Sequence, residues 1–230
     1  MLWYKAWLET RWRFFFLVGA TALIWVLPVW SPSLSAVPAS RQWVGTQLGS
    51  VLLYIFAAIY LAGAGINTQT LYAGTSGFHG SMLFTLSMPV SRRRLLFVRA
   101  GLGALLTCSV VAILAGYTLL QRPGTTTTLE GLLYLVRAIV CTMAVYALSV
   151  LLACVLDEIW QFMGACIVWA GVFLLQSRID VVARISPLRG MSPISYPVTT
   201  AWPWSPVLAS LLVAVALLYA SVLVVERKEY

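Results

Sequence analysis

The fold class is decided by one long apolar run, LLYLVRAIVCTMAVYALSVLLACVLDEIWQFMGACIVWAGVFLLQ, at residues 132–176. Its charged residues are Arg137, Asp157 and Glu158. As a single helix the run would be about 67 Å long, more than twice the roughly 30 Å hydrocarbon core of a bilayer. Because Asp157 and Glu158 are adjacent, they divide the run at one place. We therefore predict two membrane-spanning helices, over 132–156 and 159–176.

The composition of the whole chain also indicates a membrane protein. Of its 230 residues, 61% are apolar and 10% are charged, whereas soluble domains have about 45–50% and about 25%. These fractions exclude a soluble globular domain, a disordered chain and a disulfide scaffold. The cysteines lie inside apolar runs without the C-x-x-C spacing of zinc or redox sites, so they are interpreted as packing residues: Cys108, Cys141, Cys154 and Cys166.

Apolar runs, separated by charges, prolines and glycines, predict a single all-α transmembrane domain over residues 1–230. Each run is read as a helix because backbone groups in lipid must be satisfied within the segment. The first run is longer than the apolar core of a signal peptide and contains tryptophans, so it is interpreted as a retained span. The six predicted spans are 14–30, 48–66, 95–120, 132–156, 159–176 and 205–225.

The distribution of basic residues predicts the orientation. The chain has 15 Lys and Arg against 7 Asp and Glu, a net charge of +8. The basic residues cluster beside apolar runs, so we attribute the excess to the positive-inside rule rather than to nucleic acid. More of them lie in the two termini and the second loop than in the loops of the opposite face. Both termini are therefore predicted to be cytoplasmic, in a bacterial inner or plasma membrane.

The first 13 residues have a pattern of their own. Charged residues recur every four positions on one helical face and tryptophans lie on the other, at Lys5, Glu9 and Arg13 and at Trp3 and Trp7. This pattern predicts an N-terminal helix lying in the membrane interface. Because Arg11 falls on the apolar side, a simple extension of the first span remains the alternative.

The predicted outer loop, 177–204, contains four prolines, which argue against a long helix: Pro187, Pro193, Pro197 and Pro203. A short amphipathic turn over 179–185 is compatible with the sequence. Trp202 and Trp204 are typical of aromatic residues at a membrane interface.

The second loop contains GTSGFHG at 74–80, followed by SMLFTLSMPVSRRR at 81–94. Phe78, Met82 and Leu86 recur every four residues and predict one apolar ridge on a short helix over 77–88. Pro89 ends that helix, and Ser91 is a suitable N-cap for the next span. A cytosolic helix with an apolar ridge must bury it against either the bilayer surface or the groove of a partner.

Three arginines follow the short helix, in the first turn of the helix that continues into the third predicted span, and the helix dipole disfavours cations there. Anionic lipid headgroups and topology explain them better, at roughly 1 kcal/mol per basic residue near the surface. We therefore place Arg93 and Arg94, together with Trp3 and Trp7, at the membrane surface. In the alternative interpretation, the loop only ends membrane insertion and its short helix lies on the membrane surface.

The segment GSMLFTLSMPVSR at 80–92 resembles the coupling-helix region of permease subunits of ATP-binding-cassette (ABC) transporters, in the type-2 export family. The acidic residue that commonly precedes the glycine in that family is absent. The resemblance implies a dimer with a second permease subunit and a short helix that docks in a groove of a separate ATPase subunit. The docking residues it implies are Phe78, His79, Met82, Leu83 and Leu86, with Pro89 and Arg92 ending the element.

The absence of certain residues from the sequence disfavours other functions. Lys5 and Lys228 are the only lysines and neither belongs to a P-loop, so the chain is not predicted to be an enzyme. ATP and Mg²⁺ are expected in the partner ATPase. The predicted spans contain no Asp or Glu, which disfavours a proton- or sodium-coupled carrier.

An intramembrane serine protease is also disfavoured. Gly74-Thr75-Ser76-Gly77 matches the motif around the serine of such proteases, but the single histidine, His79, follows in the same polar loop. A nucleophile and its base must lie within hydrogen-bonding reach in a membrane cavity. A catalytic metal site is also disfavoured, because the chain has one histidine and its cysteines are scattered.

The sequence thus predicts the membrane subunit of an ABC exporter that moves a lipophilic or amphipathic substrate outward. A membrane scaffold or assembly factor without transport activity is the alternative. The candidates for substrate contact are Tyr54, Tyr60 and Arg137. For Arg137 we favour the alternative that its side chain reaches out to the headgroups.

Overall fold

The computed structural model describes residues 2–30, 39–62, 91–120, 127–192 and 202–227. Within them it contains helices and no strand, so the all-α prediction is confirmed. The helices are α1 (Leu2–Trp30), α2 (Ala39–Ala62), α3 (Arg92–Leu120), α4 (Thr128–Val155), α5 (Glu158–Gln176), α6 (Asp180–Ile185), α7 (Pro187–Met191) and α8 (Trp204–Arg227).

Among the described residues, four helices are long and apolar enough to cross a membrane, namely α3, α4, α5 and α8. A shorter apolar stretch, Gly49–Ala62, lies within α2. These helices indicate a membrane protein. The count of six spans stays a prediction, because it also requires α1 and α2.

The helices begin earlier than the apolar runs that predicted them. α2 begins at Ala39 rather than 48, and α4 at Thr128 rather than 132. Thr127 and Glu130 form a capping box, in which each side chain accepts a hydrogen bond from the other residue's backbone N–H. At α3 the predicted N-cap is present, since Ser91 Oγ accepts from the Arg94 N–H at 3.4 Å. An apolar run marks membrane depth, whereas caps set the ends of a helix.

The N-terminal 13 residues do not form a separate interfacial helix. α1 is continuous from Leu2 to Trp30, because no glycine or proline interrupts the chain near Phe14. The first turns therefore extend the helix, as in the alternative interpretation. Its buried residues follow one face that packs on α2 and α3: Ala6, Thr10, Leu17 and Thr21.

α4 is the central helix. It packs against α2, α3, α5, α7 and α8. Many of its buried positions carry small side chains, which let neighbouring backbones approach closely. These fully buried small residues are Ala138, Cys141, Thr142, Ala144, Ala147, Ser149, Ala153 and Cys154.

The predicted outer loop contains two short helices, α6 and α7. α6 (Asp180–Ile185) lies within the predicted amphipathic turn, and Pro187 starts α7 at a position that lacks a helical N–H partner anyway. Leu188 and Met191 of α7 are buried where it packs on α4. A Cβ at Gly190 would overlap Cys141 Sγ, so only glycine permits this approach. Residues 193–201 lie outside the described part of the chain.

Candidate functional sites

Most of the predicted docking segment lies outside the described residues. This applies to Phe78, His79, Met82, Leu83, Leu86 and Pro89, and also to the serine motif at 74–77. Arg92 is the first residue of α3, and its side chain is outside the description as well. The docking residues therefore stay predictions, and the structure describes the helix ends that flank them.

The start of α1 and the last described turn of α2 lie beside the first half of α3, and the end of α8 lies beside the first turn of α3. Leu61 O lies 3.2 Å from the point that a Cβ atom on Gly103 would occupy. Trp3 Cη2 lies 3.5 Å from the point that a Cβ atom on Gly101 would occupy. Arg93 forms an ion pair with Glu226 in the last turn of α8. We call this region, marked by Trp3, Leu61, Arg93 and Glu226, the terminus end of the bundle.

The residues predicted at the membrane surface occupy this terminus end. Trp3 is half exposed, and Arg93 and Arg94 are exposed. Trp7 is partly buried and packs on Phe14 and Phe15, with ring centroids 6.2 and 6.1 Å away. Arg99, by contrast, is buried two turns into α3.

Most hydroxyl side chains inside the bundle serve their own helix. A serine or threonine in a membrane helix satisfies its hydroxyl by donating to the carbonyl one turn earlier. Such residues are therefore weak candidates for a binding site. Each of these hydroxyls donates to the carbonyl four residues earlier: Thr10 to Ala6, Thr107 to Gly103, Thr142 to Ala138, Ser149 to Val145, Ser210 to Pro206 and Ser221 to Leu217.

Polar contacts between helices are more informative, and one group of them surrounds Tyr134. Tyr54 Oη and Tyr134 Oη are 3.2 Å apart, and Thr118 Oγ1 lies 3.5 Å from Tyr134 Oη. The Arg137 guanidinium carbon is 5.4 Å from the Tyr134 ring centroid. We call these four residues, from α2, α3 and α4, the tyrosine cluster.

Arg137 is buried in this cluster, with 3% of its surface exposed. The favoured interpretation of a side chain reaching out to the headgroups is therefore wrong. The physical reason is its position: α4 begins at Thr128, so Arg137 lies in the third turn and faces the neighbouring helices. Its contact with Tyr134 is a cation–π contact of the kind that gains strength when water is excluded.

A second group of contacts joins α1, α2 and α5. Arg13 Nη1 donates to the carbonyl of Tyr60 at 3.1 Å, and the Arg13 guanidinium carbon is 5.3 Å from the Tyr60 ring centroid. Gln161 Nε2 donates to the carbonyl of Ile59 at 3.1 Å. Side chains of α1 and α5 thus hold the last described turn of α2.

Beside these hydrogen bonds lies a cavity of about 320 Å³, which we call the Arg13 cavity. Its wall is largely aromatic and aliphatic, with one guanidinium and one amide. Apolar walls with a few placed polar groups are typical of sites for small amphipathic molecules. The lining residues are Arg13, Phe56, Ile59, Tyr60, Ile159, Gln161, Phe162 and Met163.

The structure therefore separates the three candidates for substrate contact. Tyr54 and Arg137 meet in the tyrosine cluster, whereas Tyr60 lines the Arg13 cavity. The described residues include no group of three or more His, Cys, Asp or Glu that could hold a metal ion. The side chains that line the Arg13 cavity can make apolar contacts, hydrogen bonds and a charged contact with a ligand.

Sequence reasoning missed several residues of these groups. Tyr134 stands three residues before Arg137, so the two share a helical face, and that spacing was a usable signal. Gln161, an amide inside a predicted span, was another. The partnership of Arg13 with Tyr60 had no local signal, because the two residues are 47 positions apart.

Comparison with protein-family models, with curated proteins and with solved structures finds no match to this chain.

Proposed function

We propose that this chain is the membrane subunit of an ABC exporter, which dimerises and couples ATP hydrolysis by separate ATPase subunits to outward transport of a lipophilic or amphipathic substrate. The observation that supports the proposal best is the position of the segment with the coupling-helix motif. In the sequence it lies between α2, which ends at Ala62, and Ser91, which precedes α3. Leu61 lies beside Gly103, about three turns after the start of α3. A partner docked there would contact one face of the bundle.

In this proposal α1 and α2 are spans as well, and the terminus end faces the cytoplasm. The contacts of α2, α3 and α4 fit such a path, because each of these helices runs opposite to the next. Tyr146 Oη donates to Ala100 O, joining the late part of α4 to the early part of α3. An even number of crossings returns the C-terminal end of α8 to the side on which α1 starts.

The mechanism follows from the coupling of binding to conformation. ATP and Mg²⁺ bind in the partner and close the ATPase dimer. The short helix over 77–88 then moves with the partner and displaces the start of α3. A ligand shifts a conformational equilibrium only by its different affinities for the two states, so ATP binding favours the outward-facing arrangement of the permease dimer.

The docking surface is tested by adding charge to the apolar ridge. The double variant Phe78→Asp/Met82→Asp should lose the ATPase when the tagged chain is purified from its membrane. Ile185→Asp is the matched control, because Ile185 is exposed on α6 at the opposite end of the bundle. Both variants must insert normally, as judged by membrane extraction. If the ATPase co-purified with the double variant as well as with the wild type, the docking assignment would be contradicted.

A scaffold without transport is distinguished by the activity of the purified complex. An exporter subunit should stimulate ATP hydrolysis by its partner, and the stimulation should depend on the lipophilic substrate. A scaffold should leave hydrolysis and substrate distribution in proteoliposomes unchanged. The wild-type complex and the Phe78→Asp/Met82→Asp variant are compared under identical lipid conditions.

A further inference from the structure

The short helix α6 takes no part in the proposed docking of an ATPase. It follows the last turn of α5 in the chain and packs against α5, α7 and α8. Ser205 Oγ, in the first turn of α8, donates to the carbonyl of Arg184 at 3.1 Å, and Ala183 is the buried side chain of α6. These contacts fix α6 at the end of the bundle where α5 ends and α8 begins.

The opposite face of α6 is apolar and exposed. Val181 and Ile185 are one turn apart and therefore share a face, and they are 68% and 44% exposed. Ala183 lies two positions from each of them, which places it on the other side of the helix. We call the pair Val181 and Ile185 the α6 ridge. The ridge points away from the bundle while the small residue faces it.

The surface on both sides of the α6 ridge belongs to membrane helices. α5 and α8 are long and apolar enough to cross a bilayer, and only 17% and 22% of their most apolar stretches are buried. Leu174 and Leu175 at the end of α5 and Trp204 at the start of α8 are exposed. Acyl chains cover such surfaces, and tryptophan marks the depth of the interface. The ridge therefore lies at the edge of a surface that lipid already covers.

The charges around the ridge are positive. Residues 177–192 contain one acid, Asp180, which forms no ion pair with an arginine within the described residues. The acids of the neighbouring helices are remote, because Glu158 begins α5 and Glu226 is in the last turn of α8. The stretch 193–203 has no charged residue. Three exposed arginines accompany the ridge: Arg178, Arg184 and Arg189.

Topology does not explain these three arginines. Both termini are predicted to be cytoplasmic, so this end of the bundle is predicted to face outward, where the positive-inside rule favours no basic residues. A guanidinium binds the oxygens of a phosphate through two parallel hydrogen bonds. Phosphate groups are present in the headgroups of both acidic and zwitterionic phospholipids. The headgroup layer therefore supplies a partner for the arginines at the depth where the ridge meets the acyl chains.

We propose that α6 anchors this end of the bundle in the membrane interface, with the α6 ridge among the first methylenes of the acyl chains and the three arginines on the phosphates of phospholipid headgroups. Amphipathic helices with basic residues lie in the interface plane in this way. The inference does not rest on the exporter proposal, because it concerns the chain without any ATPase and holds in either orientation.

The ridge is tested by the reactivity of introduced cysteines in the full chain. Val181→Cys and Ile185→Cys are compared with Asp180→Cys, the matched control on the exposed side of α6 away from the ridge. Each variant is placed in nanodiscs of phosphatidylglycerol and phosphatidylcholine, which expose both membrane faces, and is treated with a water-soluble maleimide. The two ridge positions should react about tenfold more slowly than the control, because the reactive thiolate is disfavoured away from water.

Mass spectrometry of tryptic peptides measures each rate. Cleavage at Arg178 and Arg184 separates the introduced cysteines from the native ones, which lie in α3, α4 and α5. Size-exclusion chromatography must show that each variant elutes like the wild type. The two ridge positions report independently, so a variant that fails to fold at one of them leaves the other as the test.

The role of the arginines is tested in the Val181→Cys variant. Adding Arg184→Gln should speed its labelling in nanodiscs about fivefold, the effect of one basic residue near a lipid surface. Arg94→Gln, an exposed arginine at the terminus end, is the control and should change nothing. In maltoside micelles, which contain no phosphate, Val181→Cys should stay protected and Arg184→Gln should have no effect, with or without added inorganic phosphate.

Three outcomes would overturn the proposal. Ridge cysteines that react as fast as Asp180→Cys in nanodiscs would place the ridge in water. An effect of Arg184→Gln that is absent in nanodiscs, or equal in maltoside micelles, would remove the lipid phosphate as its partner. Protection in native membrane vesicles that is lost in nanodiscs would assign the ridge to a protein partner instead of lipid.

Discussion

Arg93 at the start of α3 forms an ion pair with Glu226 in the last turn of α8. The side chains are 65% and 28% exposed, so water and salt screen the charges. Exposed pairs of this kind contribute roughly 0.2–1 kcal/mol. The pair connects the helix that follows the second loop to the C-terminal helix, and its main effect is on their relative position.

Reversing one charge of this pair should lower stability slightly, and reversing both should restore it. Arg93→Glu should reduce the free energy of unfolding by less than about 1 kcal/mol, and Arg93→Glu/Glu226→Arg should recover most of the loss. The measurement is denaturant-induced unfolding in mixed micelles. Arg94→Glu, on the adjacent exposed residue, is the control for the change of charge. A double variant less stable than both single variants would contradict the pairing.

The tyrosine cluster should show direct coupling between its hydroxyls. Tyr54→Phe and Tyr134→Phe each remove one oxygen of the 3.2 Å contact. A double-mutant cycle should give a coupling of about 0.6 kcal/mol, the average for hydrogen bonds between membrane helices. Unfolding in mixed micelles provides all four free energies. Strictly additive effects would mean that the two hydroxyls do not interact.

The start of α4 should depend on its capping box. Thr127→Ala removes the side chain that accepts from the Glu130 N–H and should cost about 1 kcal/mol. Hydrogen exchange should become faster at the amides of the first turn of α4. Thr128→Ala, one residue later and also exposed, is the control and should change little. If both substitutions had the same effect, the cap would not be what sets this helix end.

The contact between α7 and α4 should require glycine. Gly190→Ala would place a methyl group against Cys141 Sγ, and overpacking of this kind costs roughly 1–3 kcal/mol. Adding Cys141→Ala removes the sulfur and should restore most of the stability. Gly171→Ala on α5 is the control, because nothing lies within 4 Å of its Cβ position. A failure of Cys141→Ala to rescue would assign the loss to another contact of Gly190.

The proposed orientation is tested with reporters at the C-terminus. A green fluorescent protein fused after Tyr230 should fluoresce, and alkaline phosphatase at the same position should be inactive, because the terminus end is proposed to face the cytoplasm. The sequence basis is the excess of arginine and lysine near that end. An active phosphatase fusion would reverse the orientation and remove the docking surface from the reach of an ATPase.

Local features of the fold were accessible from the sequence. Ser91 caps α3 as its position before an apolar run predicts, and α4 and α5 separate around Asp157, where paired charges interrupt 45 apolar-rich residues. Caps and charge breaks act within one turn of the chain, so a single sequence contains their signal. The capping box at Thr127 is a local feature of the same kind.

Features that depend on packing were not accessible. Arg137 is buried because neighbouring helices pack around α4, and the sequence of α4 alone does not specify those neighbours. The close packing of α7 on α4 depends on two small residues, Cys141 and Gly190, which are 49 positions apart. The Arg13 cavity likewise arises from three helices, whose meeting point is fixed only when the whole bundle forms.

The continuity of α1 has a mechanical consequence. Its 29 residues form a rod of about 43 Å, which carries both Trp3, packed beside α3, and Arg13, packed beside the end of α2. A rod without a hinge does not allow one of these points to move independently of the other. Any ligand that displaces Arg13 is therefore linked to any partner that displaces Trp3, and the linkage is reciprocal. Binding beside Arg13 and binding beside Trp3 would therefore act on one rigid body.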